Sequence, residues 1–323
     1  MHTSEKIQVA VLDDYTASAL EMADWSVLAG RADVVVFRDH RSDTDAIVER
    51  LAPFDVVCVM RERTPLSRAI IERLPRLRLV ASTGARNASI DLEAARERGV
   101  DVVHTGYTSH GAIELTWALV LAAVRGVADE AYSVRSGGWQ VAVGGDLAGR
   151  TLGLVGLGRI GSALARIARA FDMPVIAWSQ NLTAEKADAG GARLVSKEQL
   201  FAESDVVSLH LVLSERSRGI VGAAEFARMK PSAWFVNTSR GPLVDEAALI
   251  DTLRNKRIAG AALDVFDTEP LPLDHPFRRL PNVLATPHIG FVTRQTYQTF
   301  YRDTVANIVA WLDASRSERV GQI

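Results

Sequence analysis

The sequence predicts an α/β protein with two parallel-sheet domains. Apolar runs of strand length alternate with amphipathic segments of helix length, and this alternation occurs in two successive series. The second series opens with three closely spaced glycines between a strand-like and a helix-like segment. The chain has 323 residues, which is enough for two separate hydrophobic cores.

The composition is that of an ordinary soluble globular protein, with 48% hydrophobic and 24% charged residues. A net charge of −2 provides no large positive field, so nucleic acid is not an expected partner. The longest strongly apolar stretch, Leu115 to Val124, is too short to span a membrane, and Met1 to Lys6 lack the apolar core of a secretion signal. The single cysteine, Cys58, excludes an internal disulfide and favours a reducing cytoplasm.

The first series of elements occupies the chain up to about residue 104. Its predicted strands are Ile7 to Leu12, Val34 to Phe37, Val56 to Val59, Leu77 to Ala81 and Val100 to Val103. Its predicted helices include Thr44 to Leu51, Ser67 to Leu74 and Asp91 to Arg98. These elements predict one complete parallel sheet, with the chain crossing to the next domain at His104 to Gly106.

A long helical segment, Ser109 to Arg135, separates the two series and is predicted to break near Gly126. The second series has predicted strands at Thr151 to Val155, Val175 to Trp178, Val206 to Leu209, Trp234 to Val236, Ala261 to Leu263 and Val283 to Ala285. A last helix, about Thr293 to Leu312, follows the second sheet. Ala112 to Val124 is apolar around much of its circumference, so we expect part of it to cover a partner subunit in a homodimer.

The glycine motif lies between the first strand and the first helix of the second series. Gly156 allows a tight turn, Gly158 leaves room for the backbone to approach a phosphate, and Gly161 allows the helix to pack closely. The helix, roughly Ile160 to Ala170, directs unpaired N–H groups and the positive end of its dipole at the anion. A plain glycine-rich turn explains the strand and the helix but not the paired glycines. The motif therefore predicts a Rossmann-like domain that binds a dinucleotide, with Arg159 and Ile160 among the contacts.

The residue that follows the second strand of this unit bears on the choice of cofactor. Enzymes that prefer NAD usually carry an acid here, which binds the adenine ribose hydroxyls. This chain has Ser179, 18 residues after Gly161, followed by Gln180 and Asn181. A neutral side chain neither chelates the diol nor repels a 2′-phosphate. No arginine stands at positions 179 to 181 to select NADP. We predict that NAD and NADP are both tolerated, with a preference for NADP.

Three further segments follow later strands and carry charged or titratable side chains. They are Val236 to Pro242, Leu263 to Pro270 and Thr286 to Gly290. Ligands bind at the carboxyl ends of parallel strands, so a cation, an acid and an imidazole are predicted to converge there. We assign Thr238, Asp264 and His210, which also follow strands, to cofactor binding, with His210 on the adenine side.

At these residues the chain resembles the D-isomer-specific 2-hydroxyacid dehydrogenase family, and the likeness extends over nearly its whole length. Ser239-Arg240-Gly241, Glu269-Pro270 and Pro287-His288 match the family's catalytic arginine, glutamate and histidine in type, order and approximate spacing. The segments Asp205 to His210 and Leu243 to Leu249 resemble its cofactor-domain signatures.

The resemblance implies a flavodoxin-like substrate domain built from both chain ends, residues 1–104 and 294–323. A Rossmann-like cofactor domain, residues 105–293, would be inserted between them, which accounts for the final helix. The resemblance also implies a homodimer. Two departures stand out: Val212 replaces a common proline beside the adenine pocket, and bulky Phe291 replaces a small residue, which obscures substrate identity.

The chemistry of the three residues can be derived without the family. Reduction of a 2-keto acid needs a hydride at the carbonyl carbon, a proton at its oxygen and a fixed carboxylate. Histidine has the ordinary pKa nearest neutrality, so His288 is the predicted acid and base. Glu269 on the other ring nitrogen would favour the imidazolium. Arg240 presents a planar fork that matches a carboxylate.

Each of these residues also has a simpler interpretation. An arginine after a strand is often a solvated surface residue, and a Glu-Pro segment is often a turn. A histidine after proline can simply satisfy a loop carbonyl. Their order on successive strand ends, downstream of a phosphate loop, favours the catalytic interpretation.

Two loops of the first series are candidate substrate contacts. Arg61 follows a strand and resembles the family's first substrate loop, although a surface arginine is the competing interpretation. Gly84 and Ala85 follow the next strand, where backbone N–H groups could face a substrate carboxylate. No metal site is predicted.

The leading hypothesis is an NAD(P)-dependent reductase of small 2-keto acids, such as glyoxylate, hydroxypyruvate or an aryl pyruvate. One alternative is a dinucleotide-sensing protein like the transcriptional corepressors that the same family includes, although no long disordered or charged tail is present for recruiting partners. Another is a dehydrogenase of the same fold acting on a different oxyanion, such as phosphite.

Overall fold

A computed structural model describes residues 6–320 of the chain, and side chains as far as residue 314. The chain divides into two compact units. The first unit is Met1–Thr108 with Thr293–Ile323, and the second unit is Ser109–Val292.

The first unit begins with five strands and four helices that alternate along the chain. The strands are β1 (Ile7–Val11), β2 (Ala32–Val36), β3 (Val56–Val59), β4 (Leu79–Ser82) and β5 (Asp101–His104). The helices are α1 (Ala19–Met22), α2 (Thr44–Leu51), α3 (Arg68–Ile71) and α4 (Leu92–Glu97).

The second unit follows with seven helices and seven strands. The helices are α5 (His110–Arg125), α6 (Val127–Arg135), α7 (Arg159–Ala170), α8 (Ala184–Ala189), α9 (Lys197–Glu203), α10 (Ala223–Phe226) and α11 (Glu246–Arg254). The strands are β6 (Leu152–Val155), β7 (Val175–Trp178), β8 (Arg193–Leu194), β9 (Val206–Leu209), β10 (Trp234–Asn237), β11 (Gly260–Leu263) and β12 (Val283–Ala285). Helix α12 (Arg294–Val320) then belongs to the first unit.

Both sheets are wholly parallel. The strand order is β2-β1-β3-β4-β5 in the first unit and β12-β11-β10-β9-β6-β7-β8 in the second. Every residue of β3, β4, β6 and β9 is buried, because helices cover both faces of such a sheet. The predicted fold class, two parallel-sheet α/β domains, is confirmed.

Two cores form on the opposite faces of the second sheet. Consecutive side chains of β10 point to opposite faces, so Phe235 and Val236 belong to different clusters. The first cluster contains Phe201 and Leu249, from α9 and α11, and the second contains Leu164 from α7. The glycine loop and the later strand ends are therefore supported by packed helices on both sides.

The main differences from the predicted elements lie at edges and helix ends. Strand β8 was not predicted, because two residues at a sheet edge leave no periodic signal. Helix α3 is shorter than predicted, and α12 extends past Leu312 to Val320. The predicted break near Gly126 is confirmed, since this residue has φ 65° and ψ 25° and separates α5 from α6.

The expectation that Ala112 to Val124 covers a partner subunit is not needed to explain its apolar character. Ala112, Trp117, Leu119, Val120 and Ala123 are buried within the second unit itself, where α5 contacts β10, β11 and α7. Helix α6 and the segment after it expose several large apolar side chains, namely Val127, Tyr132, Val134, Trp139, Val141 and Val143. Within residues 6–320 no single helix has the length and apolar character to cross a membrane, and α5 with α6 meets that test only as a pair bent by 69°.

Candidate active site

The glycine loop has the geometry that its three glycines predict. Gly156 has φ 103°, and a Cβ on it would lie 2.5 Å from the carbonyl oxygen of His210. A Cβ on Gly161 would overlap the carbonyl oxygen of Gly156, so the start of α7 packs directly on the turn. Gly158 differs from both, because no described atom outside its chain neighbours would lie within 4 Å of its Cβ. The open space is therefore at the middle glycine.

Helix α7 begins beside this open space. Its N-cap residue is Gly158, which provides no capping side chain, whereas Asp245 caps α11 through the Ala248 N–H. The first N–H groups of α7 thus keep their capacity to bind an anion. Arg159 is exposed and Ile160 is half-buried at this helix start.

The glycine loop and His210 lie where the strand order of the second sheet reverses. Strands β6 and β9 are neighbours there, which is the usual place for a dinucleotide in this type of sheet. His210 Nε2 lies 2.8 Å from the Ser208 hydroxyl, and Nδ1 is buried without a partner among the described residues. Burial lowers the pKa of His210 to about 3, so its ring is neutral and supplies no proton near pH 7.

Two further predicted cofactor contacts follow β7 and β10. Ser179 is half-buried directly after β7. Thr238 directly follows β10, and its hydroxyl lies 2.7 Å from that of Thr116 in α5.

His288 and Glu269, two of the predicted catalytic residues, are in direct contact. Nδ1 of His288 lies 2.5 Å from Oε2 of Glu269, and Oε1 of Glu269 accepts a hydrogen bond of 2.9 Å from the Phe266 N–H. The ring of Phe291 stands edge-on to the imidazole, with centroids 5.5 Å apart. Because Nδ1 faces the carboxylate, Nε2 is the nitrogen available for proton exchange with a ligand.

The backbone of His288 is left-handed, with φ 52°, and Asp264 holds the residues beside it. The Asp264 carboxylate accepts hydrogen bonds of 2.8 Å from the N–H groups of Ile289 and Gly290, and one of 2.6 Å from the Thr286 hydroxyl. Burial raises the pKa of Asp264, although these hydrogen bonds oppose the shift. The sequence assigned Asp264 to the cofactor, whereas the structure engages both of its oxygens with the His288 loop.

Arg240 lies at the same carboxyl edge of the second sheet as Glu269 and His288. The three residues follow β10, β11 and β12, which are adjacent parallel strands. Its Nη1 donates to the Ser239 carbonyl at 2.7 Å, and its own carbonyl accepts a hydrogen bond of 3.0 Å from the Asn237 amide. Gly241 packs against the backbone of Phe266 and Asp267. The turn with Arg240 therefore contacts the turn that leads to Glu269.

The candidate substrate loops of the first unit follow β3 and β4, which are adjacent strands. The structure brings Arg61 and Gly84 together, because a Cβ on Gly84 would overlap the Arg61 guanidinium. The Gly84 N–H donates to the Thr105 hydroxyl at 2.7 Å and is not available to a substrate. The expectation for this loop therefore narrows to Ala85, which is exposed.

Four residues that organise these loops were not identified as site residues from the sequence: Asn237, Ser239, Asn87 and Thr83. Ser239 donates to the Leu209 carbonyl at 2.6 Å. The other three bind backbone groups of the predicted arginines: Asn237 binds Arg240, and Thr83 and Asn87 bind Arg61. Asn237 and Ser239 lie inside the motif around Arg240, but a motif does not reveal which side chain holds which backbone group.

Comparisons with known proteins point to one family. A family model described as D-isomer specific 2-hydroxyacid dehydrogenase, NAD binding domain, matches residues 117–290. A glyoxylate reductase of Aeropyrum pernix is 40% identical over 252 residues, 75% of each chain. A glyoxylate/hydroxypyruvate reductase B of an Enterobacter species is 37% identical over 254 residues, 76% of this chain and 78% of the relative.

Solved structures resemble this chain over nearly its full length. A phosphoglycerate oxidoreductase from Vibrio cholerae superposes with a TM-score of 0.91 at 36% identity, covering 95% of this chain and 99% of the other. A glyoxylate reductase from Paecilomyes thermophila superposes with a TM-score of 0.71 at 30% identity, covering 95% and 96%.

Proposed function

The chain belongs to the D-isomer-specific 2-hydroxyacid dehydrogenase family, and we propose that it reduces a small 2-keto acid, with glyoxylate and hydroxypyruvate as the leading substrates. It is an NAD(P)-dependent oxidoreductase acting on CH–OH groups. The observation that carries the proposal is the hydrogen bond between His288 and Glu269, at the carboxyl edge of the same sheet as the glycine loop. The relatives named for glyoxylate and hydroxypyruvate support the substrate class.

We assign the roles of the residues as follows. His288 donates the proton from Nε2 to the keto oxygen and removes it in the reverse direction, while Glu269 at Nδ1 stabilises the imidazolium. Arg240 binds the substrate carboxylate through its planar fork. Ala85 offers a backbone N–H, and Arg61 a second guanidinium, from the first unit. The dinucleotide supplies or accepts the hydride when it is bound.

The residues of the glycine loop fit a dinucleotide. The space at Gly158 and the uncapped start of α7 suit a pyrophosphate, with Gly156, Arg159, Ile160 and Gly161 around it. We propose that residues 105–293 form the cofactor domain, that residues 1–104 and 294–323 form the substrate domain, and that Ser179, His210 and Thr238 also line the cofactor.

Purified protein with NADPH or NADH and a panel of 2-keto acids provides the test. We expect the nicotinamide absorbance to fall with glyoxylate, hydroxypyruvate or an aryl pyruvate. His288→Ala should lower kcat by about 10² to 10⁴, the range of general acid catalysis. Absence of turnover of every 2-keto acid by the unaltered protein would contradict the proposal.

We propose that NADP is preferred over NAD. The neutral Ser179 after β7 supports this preference, because it does not repel a 2′-phosphate. We expect a higher kcat/KM with NADPH than with NADH, and Ser179→Asp should shift the ratio towards NADH about tenfold or more. A preference of the unaltered enzyme for NADH of about a thousandfold would overturn the assignment.

We also propose a cytoplasmic homodimer. The exposed apolar side chains of α6 and the following segment, Tyr132, Trp139 and Val143 among them, support a covering subunit. The single cysteine, Cys58, is a free thiol, which fits a reducing compartment. Light scattering at micromolar concentration and cell fractionation test the two assignments, and a monomer or a secreted protein would contradict them.

A further inference from the structure

Arg61 has an unusual backbone conformation for its residue type. Its φ is 53°, in the left-handed region where a side chain with a Cβ is strained. Such residues persist only where their surroundings over-determine them, and they cluster at functional sites. The hydrogen bonds that impose this conformation are therefore informative about function.

Both backbone polar groups of Arg61 are held by side chains from the loop after β4. The Arg61 N–H donates to the Thr83 hydroxyl at 2.8 Å. The Arg61 carbonyl accepts a hydrogen bond of 2.7 Å from the Asn87 amide. Thr83 is 2% exposed and Asn87 is 7% exposed, so both bonds are shielded from water.

The guanidinium of Arg61 is also confined. It lies over Gly84, where a Cβ would overlap it, and its Cζ is 5.3 Å from the centre of the Tyr107 ring. Its Nη1 lies 3.4 Å from the Thr83 carbonyl oxygen, and its Nη2 lies 3.6 Å from Oε1 of Glu62. The side chain is 15% exposed, so a small part of a fixed cation reaches solvent.

Asn87 has one stable orientation, because all of its polar atoms are engaged. Its amide nitrogen donates to the Arg61 carbonyl and, at 3.1 Å, to the Ser82 hydroxyl. Its amide oxygen accepts from the N–H and the hydroxyl of Ser89 at 2.9 and 2.6 Å. A buried amide with every bond satisfied sets the position of the groups that it contacts.

The second unit uses the same device at Arg240. The Asn237 amide nitrogen donates to the Arg240 carbonyl at 3.0 Å, and its oxygen accepts from the Ser239 N–H at 3.0 Å. Asn237 is 2% exposed. Each of the two candidate substrate arginines thus has a buried asparagine holding its backbone carbonyl.

We propose that Asn87 and Thr83 are positioning residues that fix the left-handed Arg61 so that its guanidinium binds an anionic group of the substrate. The inference rests on the proposed function, because it needs a 2-keto acid in the site. Arg61 binds the ground state and the transition state alike, so loss of its position raises KM and leaves kcat nearly unchanged.

The test compares steady-state kinetics of Asn87→Ala and Thr83→Val with the active 2-keto acid. We expect the substrate KM to rise about tenfold in both variants, as for loss of one charge-assisted hydrogen bond, with kcat and the cofactor KM within about twofold. Thr83→Ser keeps the hydroxyl and should retain the original KM. Asn307→Ala is the matched control, because its amide donates to the His104 carbonyl at 3.1 Å in the same unit. It should leave the substrate KM unchanged.

A double-mutant cycle separates positioning from general loss of structure. In an Arg61→Ala background, Asn87→Ala should add no further rise in KM. Arg61→Gly should melt at a higher temperature than Arg61→Ala, since glycine tolerates the left-handed backbone. If the unaltered enzyme is active and the substrate KM is unchanged in Asn87→Ala or in Arg61→Ala, the inference fails while the proposed function stands. If the unaltered enzyme reduces no 2-keto acid, the proposed function itself fails.

Discussion

Gly241 packs directly on the backbone of Phe266, and a Cβ on Gly241 would overlap the Phe266 carbonyl group. This contact joins the turn that carries Arg240 to the turn that leads to Glu269. Gly241→Ala should push the two turns apart and lower kcat/KM by about 10², as expected for a displacement near 1 Å. Gly222→Ala is the control, because its Cβ would meet its nearest neighbour at an ordinary 3.7 Å. Equal values of kcat/KM for the two variants would contradict a coupling between the two turns through Gly241.

Glu269→Gln should show how much the carboxylate contributes to proton transfer. Glutamine keeps the shape but not the charge that stabilises protonated His288, so we expect kcat to fall by about 10². Glu246→Gln is a matched control, because Oε1 of Glu246 lies 3.0 Å from Nε2 of His275 in a second Glu–His pair. The control should change kcat by less than about threefold, and similar losses in both variants would argue against a special role for Glu269.

Asp264→Ala should separate a positioning role from a cofactor contact. The change leaves two N–H groups and a hydroxyl of the His288 loop without their acceptor, at a cost to unfolding free energy of about 1 to 3 kcal/mol for each buried group. We expect lower thermal stability and a large loss of kcat. If only the KM for NAD(P)H rises, then Asp264 serves the cofactor as the sequence predicted.

His210 gives the fold a defined pH dependence. Its pKa is lowered by burial from 6.5 to about 3, so below pH 6.5 the unfolded chain binds a proton that the folded chain excludes. The contribution of His210 to the free energy of unfolding is fully present above pH 6.5 and is lost as the pH falls from 6.5 towards about 3. Between pH 7.5 and 5.5 the unaltered protein should lose about 1 kcal/mol more than His210→Asn in denaturant titrations. His104→Asn, at an exposed histidine, should behave like the unaltered protein.

Gly158→Ala and Gly161→Ala should have opposite consequences for the fold. The Cβ at 158 enters open space, so the melting temperature should be unchanged while the KM for NAD(P)H rises about tenfold. The Cβ at 161 overlaps the Gly156 carbonyl, so the protein should be destabilised although alanine normally favours a helix. An unchanged cofactor KM in Gly158→Ala would show that the pyrophosphate lies elsewhere.

The sequence predicted the elements that bury apolar residues with a regular period. The limits of α2, β3, β7, β9 and β12 were predicted to the residue. Asp43 caps α2, which buries Ile47 and Leu51, and every residue of β3 and β9 is buried. Strand β8 has two residues and no such signal. Helix α12 was predicted to end at Leu312, because the mostly polar residues from Asp313 to Arg319 do not continue its apolar face.

The sequence by itself determined the α/β class, the glycine loop and the residue types that follow the strands, because periodicity and backbone freedom are local properties. Only the tertiary structure decided that Nδ1 of His288 faces Glu269, that Asp264 holds the His288 loop, and that Asn87 and Thr83 hold Arg61. These side chains are up to 26 residues apart in sequence. Their hydrogen bonds form only when parallel strands bring their carboxyl ends to one edge, and no local pattern encodes that meeting.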